Sequence, residues 1–376
     1  MLSGHLWIFS NELAVSPKKY EPGATVEVRD RKNTFLGIGY INPYSLISVR
    51  ILTHCKEDIS DEFFRKRIIN AIEYRKRFLN DINSCRVVFS EGDYLPGLIV
   101  DKYDDCLSIQ FLTLGMEKWS SVIIEILDGI FSPSVIVLRN DSSVRLLEGL
   151  KQEKKVLKGS LDKLPVMREE SLLFEVDPLS GQKTGYFLDQ RENRIAFSRL
   201  INSGKGLDLF CYSGAWSIHS ASRGAYVTGV DDSESAVAYA KKNAEMNDLS
   251  AMCAFQKANV FEFLTNELSE GNRYDFVVLD PPSFVKSKTQ VKDALRGYRE
   301  INANAMRLIK KGGLLATSSC SYHIDKEIFL DMLRASARDA GRQARLIALR
   351  SQAKDHPVLL SMPETEYLKC AFLEVR

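Results

Sequence analysis

The chain has 376 residues, a formal net charge of +2, 45% apolar and 27% charged residues. That length is too great for one ordinary core and points to two or three domains. The near balance of charge excludes a chain that binds polyanions by bulk charge alone. No apolar run reaches the roughly 18 residues that span a bilayer. The start, Met1-Leu-Ser-Gly-His-Leu-Trp-Ile8, lacks the basic segment and long apolar stretch of a secretory signal. The seven cysteines (55, 85, 106, 211, 253, 320 and 370) include no C-x-x-C pair. Neither a disulfide framework nor a metal site is expected, and the expected compartment is the cytoplasm, with no membrane contact.

Residues 1 to about 55 read as short strands and turns. Ala24 to Arg29 alternates with period two, and Phe35–Ile41 and Leu46–Leu52 are separated by Asn42-Pro43. A small β-barrel or roll is predicted. Residues 61–170 read as a central α+β domain. It opens with a helix carrying Phe64-Arg-Lys-Arg67 and Tyr74-Arg-Lys-Arg-Phe78, whose Phe63, Phe64, Ile68, Ile72 and Phe78 supply an apolar stripe. Strands are predicted at Arg86–Phe89, Gly97–Asp101, Cys106–Phe111 and Ser134–Leu138, a helix at Met116–Leu127 and a further strand at Glu169–Val176. A second basic cluster runs from Lys151 through Lys154, Lys155 and Lys158 to Lys163. Cations interleaved with aromatics can grip a phosphate backbone, and the bland alternative is a solvated surface.

From about residue 180 the period changes, and strands now alternate with helices. Strands are predicted at Leu207–Cys211, Tyr226–Val230, Met252–Gln256, Tyr274–Leu279 and Leu314–Thr317, with Ala344–Leu349 and Leu368–Val375 completing the sheet. The fold class is α/β, a Rossmann-like seven-stranded sheet with helices on both faces. Ligands in such a sheet bind at the carboxyl ends of the strands. Gly206-Leu-Asp-Leu-Phe-Cys-Tyr-Ser-Gly214 ends the first strand there and is not G-x-G-x-x-G. A dinucleotide needs those glycines so that backbone can cradle a pyrophosphate. An acid, Asp208, suits instead a cofactor that is cationic and lacks phosphates, and S-adenosylmethionine fits. Asp231, ending the second strand, is placed to accept from ribose hydroxyls. Phe210, Cys211, Ser213, Gly214 and Asp232 complete the expected pocket. The alternative is that Asp208 and Asp231 merely cap helices.

Asp280-Pro-Pro-Ser-Phe284 follows the fourth strand directly. Its prolines fix an extended loop. A flat ring could rest against Phe284 beside Pro281 and Ser283, with Asp280 at its polar edge and Lys286 and Lys288 near a flanking phosphate. Cys320 follows the fifth strand among Ser318, Ser319 and Ser321. Polar neighbours argue against a packing cysteine and for a nucleophile.

Together these stretches resemble the class I RNA methyltransferases similar to the bacterial large-subunit ribosomal RNA (cytosine-5)-methyltransferase I. The matching segments are Gly181–Arg194, Leu207–Gly214, Asp280–Phe284, Ser319–His323, Asp355–Val358 and Pro363–Thr365, and at the front Gly4–Phe9 and Gly37–Pro43. The resemblance implies an N-terminal PUA RNA-binding domain (1–60), the central domain (61–170) and a methyltransferase domain (171–376). It implies a 23S rRNA substrate, S-adenosylhomocysteine as product, catalytic roles for Cys320 and Asp280, and a homodimer as a further expectation. It also gives the Gln182–Arg191 loop a role in folding over the cofactor through Gln182, Tyr186 and Asp189, and it places Asn259, where methyltransferases commonly have an acid after the third strand, at the adenine edge. The family carries one more strand before His5-Leu-Trp-Ile8, so the roll is expected to be short of it or the start of the chain misplaced. Amino-group methylation of a purine and a non-catalytic RNA-binding or assembly role are the alternatives.

Overall fold

The computed structural model describes residues 4–284 and 291–376. The chain divides into two compact units, one of residues 1–167, 176–188 and 354–365, the other of 168–175, 189–353 and 366–376.

The first unit begins with β1 (Trp7–Phe9), β2 (Thr25–Arg29), β3 (Phe35–Ile41) and β4 (Ile47–Thr53), an antiparallel sheet in the order β1-β4-β3-β2. Helix α1 (Asp61–Phe78) starts at Ser60, whose hydroxyl accepts from the Phe63 amide, and it buries Phe63, Phe64, Ile68, Ala71 and Ile72. Next come β5 (Ser84–Phe89), β6 (Leu98–Tyr103), β7 (Cys106–Phe111), α2 (Leu114–Glu117), α3 (Ser120–Phe131), β8 (Val135–Asn140), α4 (Val144–Leu147) and β9 (Glu153–Lys158). These strands form a five-stranded sheet in chain order, antiparallel except for the β7–β8 pair. A parallel pair needs a crossover, and α2 and α3 supply it. The single helix predicted at Met116–Leu127 is therefore two, interrupted at Lys118-Trp119.

The basic helix is only partly a cationic surface. Arg75 is buried, donating to the Arg86 and Asp355 carbonyls at 2.7 and 2.6 Å and pairing with Asp93. Arg67 lies over the Phe63 and Tyr94 rings. Arg65, Lys66, Lys76 and Arg77 remain exposed. In the second basic cluster, Lys154, Lys155 and Lys158 lie exposed on the end strand β9, where Lys155 pairs with Glu153 and Lys158 with Asp128.

The strand predicted at Glu169–Val176 is a hairpin, β10 (Val166–Glu169) with β11 (Leu172–Glu175). The chain turns at Glu170, whose φ is 53°. In the second unit follow α5 (Arg191–Ser198), β12 (Gly204–Leu209), α6 (Ala215–Ala221), β13 (Ala225–Asp231), α7 (Glu234–Met246), β14 (Cys253–Lys257), α8 (Val260–Ser269), β15 (Tyr274–Leu279), α9 (Val291–Leu308), β16 (Ile309–Ser319), α10 (Lys326–Asp339), β17 (Ala344–Arg350) and β18 (Lys369–Val375). The seven-stranded sheet runs β14-β13-β12-β15-β16-β18-β17, with β18 antiparallel to both neighbours. Lys310-Lys-Gly-Gly313 follows a helix that ends at Leu308 and lies inside β16, where the pairing with β15 is irregular.

Alternation along the central strands feeds two cores. Leu207, Leu209, Val277, Leu279 and Leu315 face a cluster with Val260, Leu264, Tyr298, Ile301, Met306 and Phe329. Phe276, Val278, Ala316 and Phe372 face the other, with Phe197 and Trp216. Each fully buried large apolar side chain contributes roughly 1.5–3 kcal/mol. Gly206 is required by close approach, since a Cβ there would sit 2.1 Å from the Phe276 ring. The strand order reverses between β12 and β15, which places the crevice at the carboxyl ends of β12, β13, β15 and β16.

Candidate active site at the strand ends

The turn after β12 is wound tightly. Phe210, Tyr212 and Gly214 all have positive φ, of 65°, 45° and 77°. Bulky residues rarely occupy that region, and such strain persists where the surroundings enforce it. Here the Phe210 and Cys211 amides donate to the Val230 carbonyl at 2.9 and 3.1 Å, and the Tyr212 amide donates to the Asp231 carboxylate at 2.9 Å. Asn243 donates to the Ser213 carbonyl at 3.0 Å. At Gly214 a Cβ would press on Phe255 at 2.9 Å and Ala240 at 3.0 Å.

Asp208 lies fully buried at the floor of the turn. Its Oδ2 accepts from the Ser217 amide at 3.0 Å and the Ser217 hydroxyl at 2.7 Å. Its Oδ1 is buried and has no hydrogen-bond donor among the described residues. Burial pushes the carboxyl up to about 7, and the Ser217 hydrogen bonds offset only part of that rise. A buried carboxylate oxygen without a donor suits a cationic ligand group. Asp231 accepts from the Tyr212 and Ser233 amides, so it shapes the turn, and burial raises its carboxyl. A carboxylate has about four lone-pair sites, which leaves capacity for hydroxyl donors. Asp232 is exposed beside it. Asn259 is committed to the start of α8, its Oδ1 accepting from the Phe261 and Glu262 amides at 3.0 and 3.3 Å. Cys211 is buried, and its thiol is pushed well up by burial.

Asp280 is held from both sides. Gln190 Nε2 donates to Oδ1 at 2.8 Å and Trp216 Nε1 to Oδ2 at 3.1 Å. Gln190 also donates to the Ser318 hydroxyl at 2.9 Å and accepts from Asn193 at 2.7 Å. Burial raises the Asp280 carboxyl, opposed by those two hydrogen bonds. Pro281 is buried beyond it. Phe284 packs among Tyr298 at 4.5 Å, Phe261 at 6.2 Å and Phe210 at 6.4 Å between ring centroids.

Cys320 follows β16 directly and is half-buried. The two loops meet beside it. The Ser283 and Ser321 hydroxyls are 2.8 Å apart, and the Tyr298 hydroxyl lies 3.2 Å from Ser321 Oγ. Burial pushes the thiols of Cys106, Cys253 and Cys370 up to about 12, which keeps them protonated and inert.

The structure thus brings Asp208, Phe210, Cys211, Ser213, Gly214, Asp231, Asp280, Pro281, Ser283, Phe284 and Cys320 to the strand ends of one sheet. Gln182 and Tyr186 belong to the first unit, where neighbouring Thr184 pairs with Asp101 and lies 3.1 Å from the Tyr103 hydroxyl. Asp189 belongs to the second, accepting from the Tyr367 hydroxyl at 2.6 Å. Lys286 and Lys288 lie outside the described residues. Gln190, Trp216 and Tyr298 were not expected from the sequence. Trp216 follows the Gly214 turn closely enough to have been suspected, whereas Tyr298 reaches the site only through the packing of α9.

Comparison with known proteins agrees with this architecture. Residues 1–54 match a PUA-like domain, and residues 202–359 match a methyltransferase domain. A sam-dependent methyltransferase from Streptococcus mutans has the same fold, with a TM-score of 0.83 at 19% identity, over 99% of this chain and 96% of that one. A methyltransferase solved in complex with SAH superposes with a TM-score of 0.84 at 18% identity, with the same coverage. Ribosomal RNA large subunit methyltransferase I of Shewanella denitrificans is 37% identical over 97% of this chain and 94% of its own. The enzyme of the same name from Pseudoalteromonas atlantica is 35% identical over 98% and 95%. The chain belongs to the ribosomal RNA large subunit methyltransferase I family.

Proposed function

We propose that this chain methylates carbon-5 of a cytosine in 23S ribosomal RNA, with Cys320 as nucleophile and S-adenosylmethionine as cofactor. The observation that carries the reading is the half-buried Cys320 at the end of β16, where the Ser283–Ser321 contact joins its loop to the Asp280 loop. The cofactor fits the unpaired buried oxygen of Asp208, which suits its ammonium, and the spare lone pairs of Asp231, which suit ribose hydroxyls. When bound it supplies an electrophilic methyl group on a sulfonium and leaves as S-adenosylhomocysteine.

Carbon-5 of cytosine is a poor nucleophile. Cys320 attacks carbon-6 as a thiolate, forming an Sγ–C6 bond, and the displaced electron pair makes carbon-5 enamine-like. Asp280, fixed by the Gln190 and Trp216 hydrogen bonds, holds the polar edge of the ring that gains electron density. Carbon-5 takes the methyl group and gives its proton to a base. That electron pair restores the C5–C6 bond and expels the Cys320 thiolate. A base inside a helix is out of reach, so the target nucleotide is single-stranded or extruded.

Amino-group methylation of a purine is the second reading. Asp280-Pro-Pro-Ser-Phe284 resembles the loops of enzymes that methylate exocyclic nitrogens, and such chemistry needs no cysteine. Transfer of a radiolabelled methyl group to rRNA from a deletion strain separates the readings. The proposal expects incorporation by the wild type and at least a 1,000-fold loss in Cys320→Ala (about 4 kcal/mol of barrier). Unchanged transfer by Cys320→Ala would sink the covalent mechanism, and no transfer by the wild type would favour a binding or assembly role.

A further inference from the structure

Lys369 is a charged residue that the site chemistry above does not use, and it is only 4% exposed. It opens β18, directly opposite Ser319 in the antiparallel pairing with β16. Residues directly opposite in such a pair project to the same face of the sheet. Its Nζ donates to the carbonyl of Ser321, the residue after Cys320, at 2.7 Å and to the Tyr367 carbonyl at 2.9 Å. A buried ammonium is costly unless something anionic or strongly dipolar offsets its lost hydration. Two carbonyls offset part of that cost, and a thiolate one residue from an acceptor would offset more. We propose that the Lys369 ammonium is a positioning residue that holds Cys320 in its thiolate form, the proton leaving to solvent, before any substrate arrives.

This inference rests on the reading of Cys320 as nucleophile, and the electrostatics agree with it. Burial lowers Lys369 to about 8, and the opposing influences are Cys320 first, then Asp325 and Glu366, with Lys326 acting against them. Of these, Lys326 and Glu366 pair with each other at 2.8 Å, and Asp325 caps α10 through the Ile328 amide at 2.8 Å. Tyr298 on α9 lies 3.2 Å from Ser321 Oγ, its hydroxyl raised by burial and by the thiol. It is neutral near pH 7 and does not compete for the proton. Below a pH of about 8, Lys369 is protonated and available to the thiolate.

The test reads the thiol rather than methyl transfer, so it separates failure of this inference from failure of the covalent mechanism. The rate of iodoacetamide alkylation is followed by peptide mass spectrometry from pH 5 to 10 on the full-length protein. In the wild type, the Cys320 midpoint is expected at least one pH unit below the ~8.5 of an ordinary free thiol. In Lys369→Met it is expected to rise by at least one unit, with kcat falling tenfold or more at pH 7 and recovering toward pH 9. Lys369→Arg, which keeps the charge, should retain the low midpoint. A role confined to bracing the Ser321 and Tyr367 carbonyls would not move the midpoint. A wild-type midpoint at or above ~8.5, that of an ordinary free thiol, overturns the proposal without any variant, and so does an unchanged midpoint in Lys369→Met.

Discussion

Asp208 shows how one buried carboxyl can couple ligand binding to pH. Its folded value of about 7 lies above the usual 3.8, so the folded chain holds a proton that the unfolded chain has lost. Between those values stability contributed by this group falls as pH rises, and the loss levels off above about 7. Asp208→Asn should remove that slope. The difference in Tm between variant and wild type, both ligand-free, should grow in the variant's favour from pH 4.5 to 7. Parallel curves would contradict the buried, donor-poor environment of Oδ1. The same substitution should weaken S-adenosylmethionine binding tenfold or more by calorimetry, because the amide offers no charge to an ammonium. In the wild type, affinity should rise as pH passes through 7. The acid itself was legible in the sequence because the motif lacks the dinucleotide glycines. Its unpaired oxygen was not, because that depends on how Ser217 turns back from α6.

At the scale of elements, the hairpin β10–β11 is tied to the helices by a buried ion cluster. Glu169 is fully buried, paired with Arg194 through both carboxylate oxygens, and 2.9 Å from His219 Nε2. The His219 ring also stacks near Phe174 at 5.9 Å. Burial would raise the Glu169 carboxyl, but Arg194 and His219 more than offset it and hold it at about 2, below the usual 4.5. The stability this provides is present above about 4.5 and lost as pH falls toward 2. Glu169→Gln leaves Arg194 buried without its counter-charge and should cost about 3–5 kcal/mol in urea unfolding. A loss under 1 kcal/mol would contradict the structure. The turn after β12 makes a similar demand. Gly214→Val places a branched side chain at positive φ against Phe255 and should lower Tm and cofactor affinity together, whereas unchanged values in both would show that the turn can relax. The strands of the sheet were readable from apolar runs and their alternation. The hairpin and the split α2–α3 were not, because the turn at Glu170 and the break at Lys118 are made by residues without glycine or proline signals.

For the molecule as a whole, local charge matters more than the net +2. If Lys66, Lys76 and Arg77 contact RNA phosphates, replacing all three with Gln should lower the salt dependence of RNA binding by about 2 in log–log slope, at ~0.7 per phosphate. An unchanged slope would return α1 to a solvated face. The sequence overstated this cluster, since Arg75 is spent on Asp93 and three carbonyls inside the first unit. In the second unit it understated the reactive end of the sheet. Cys320, Asp280 and Asp208 carried recognisable patterns, but Gln190, Trp216, Tyr298 and Lys369 join them only through strand order and register. The chemistry assigned to that assembly is tested most directly with RNA containing 5-fluorocytidine. Fluorine at carbon-5 leaves no proton to remove after methyl transfer, so a covalent enzyme cannot release its product. The proposed mechanism predicts a complex that survives denaturing electrophoresis, requires S-adenosylmethionine, maps to the Cys320 peptide and disappears in Cys320→Ala. A wild-type enzyme that methylates rRNA yet forms no such complex, or forms it equally well as Cys320→Ala, would contradict it.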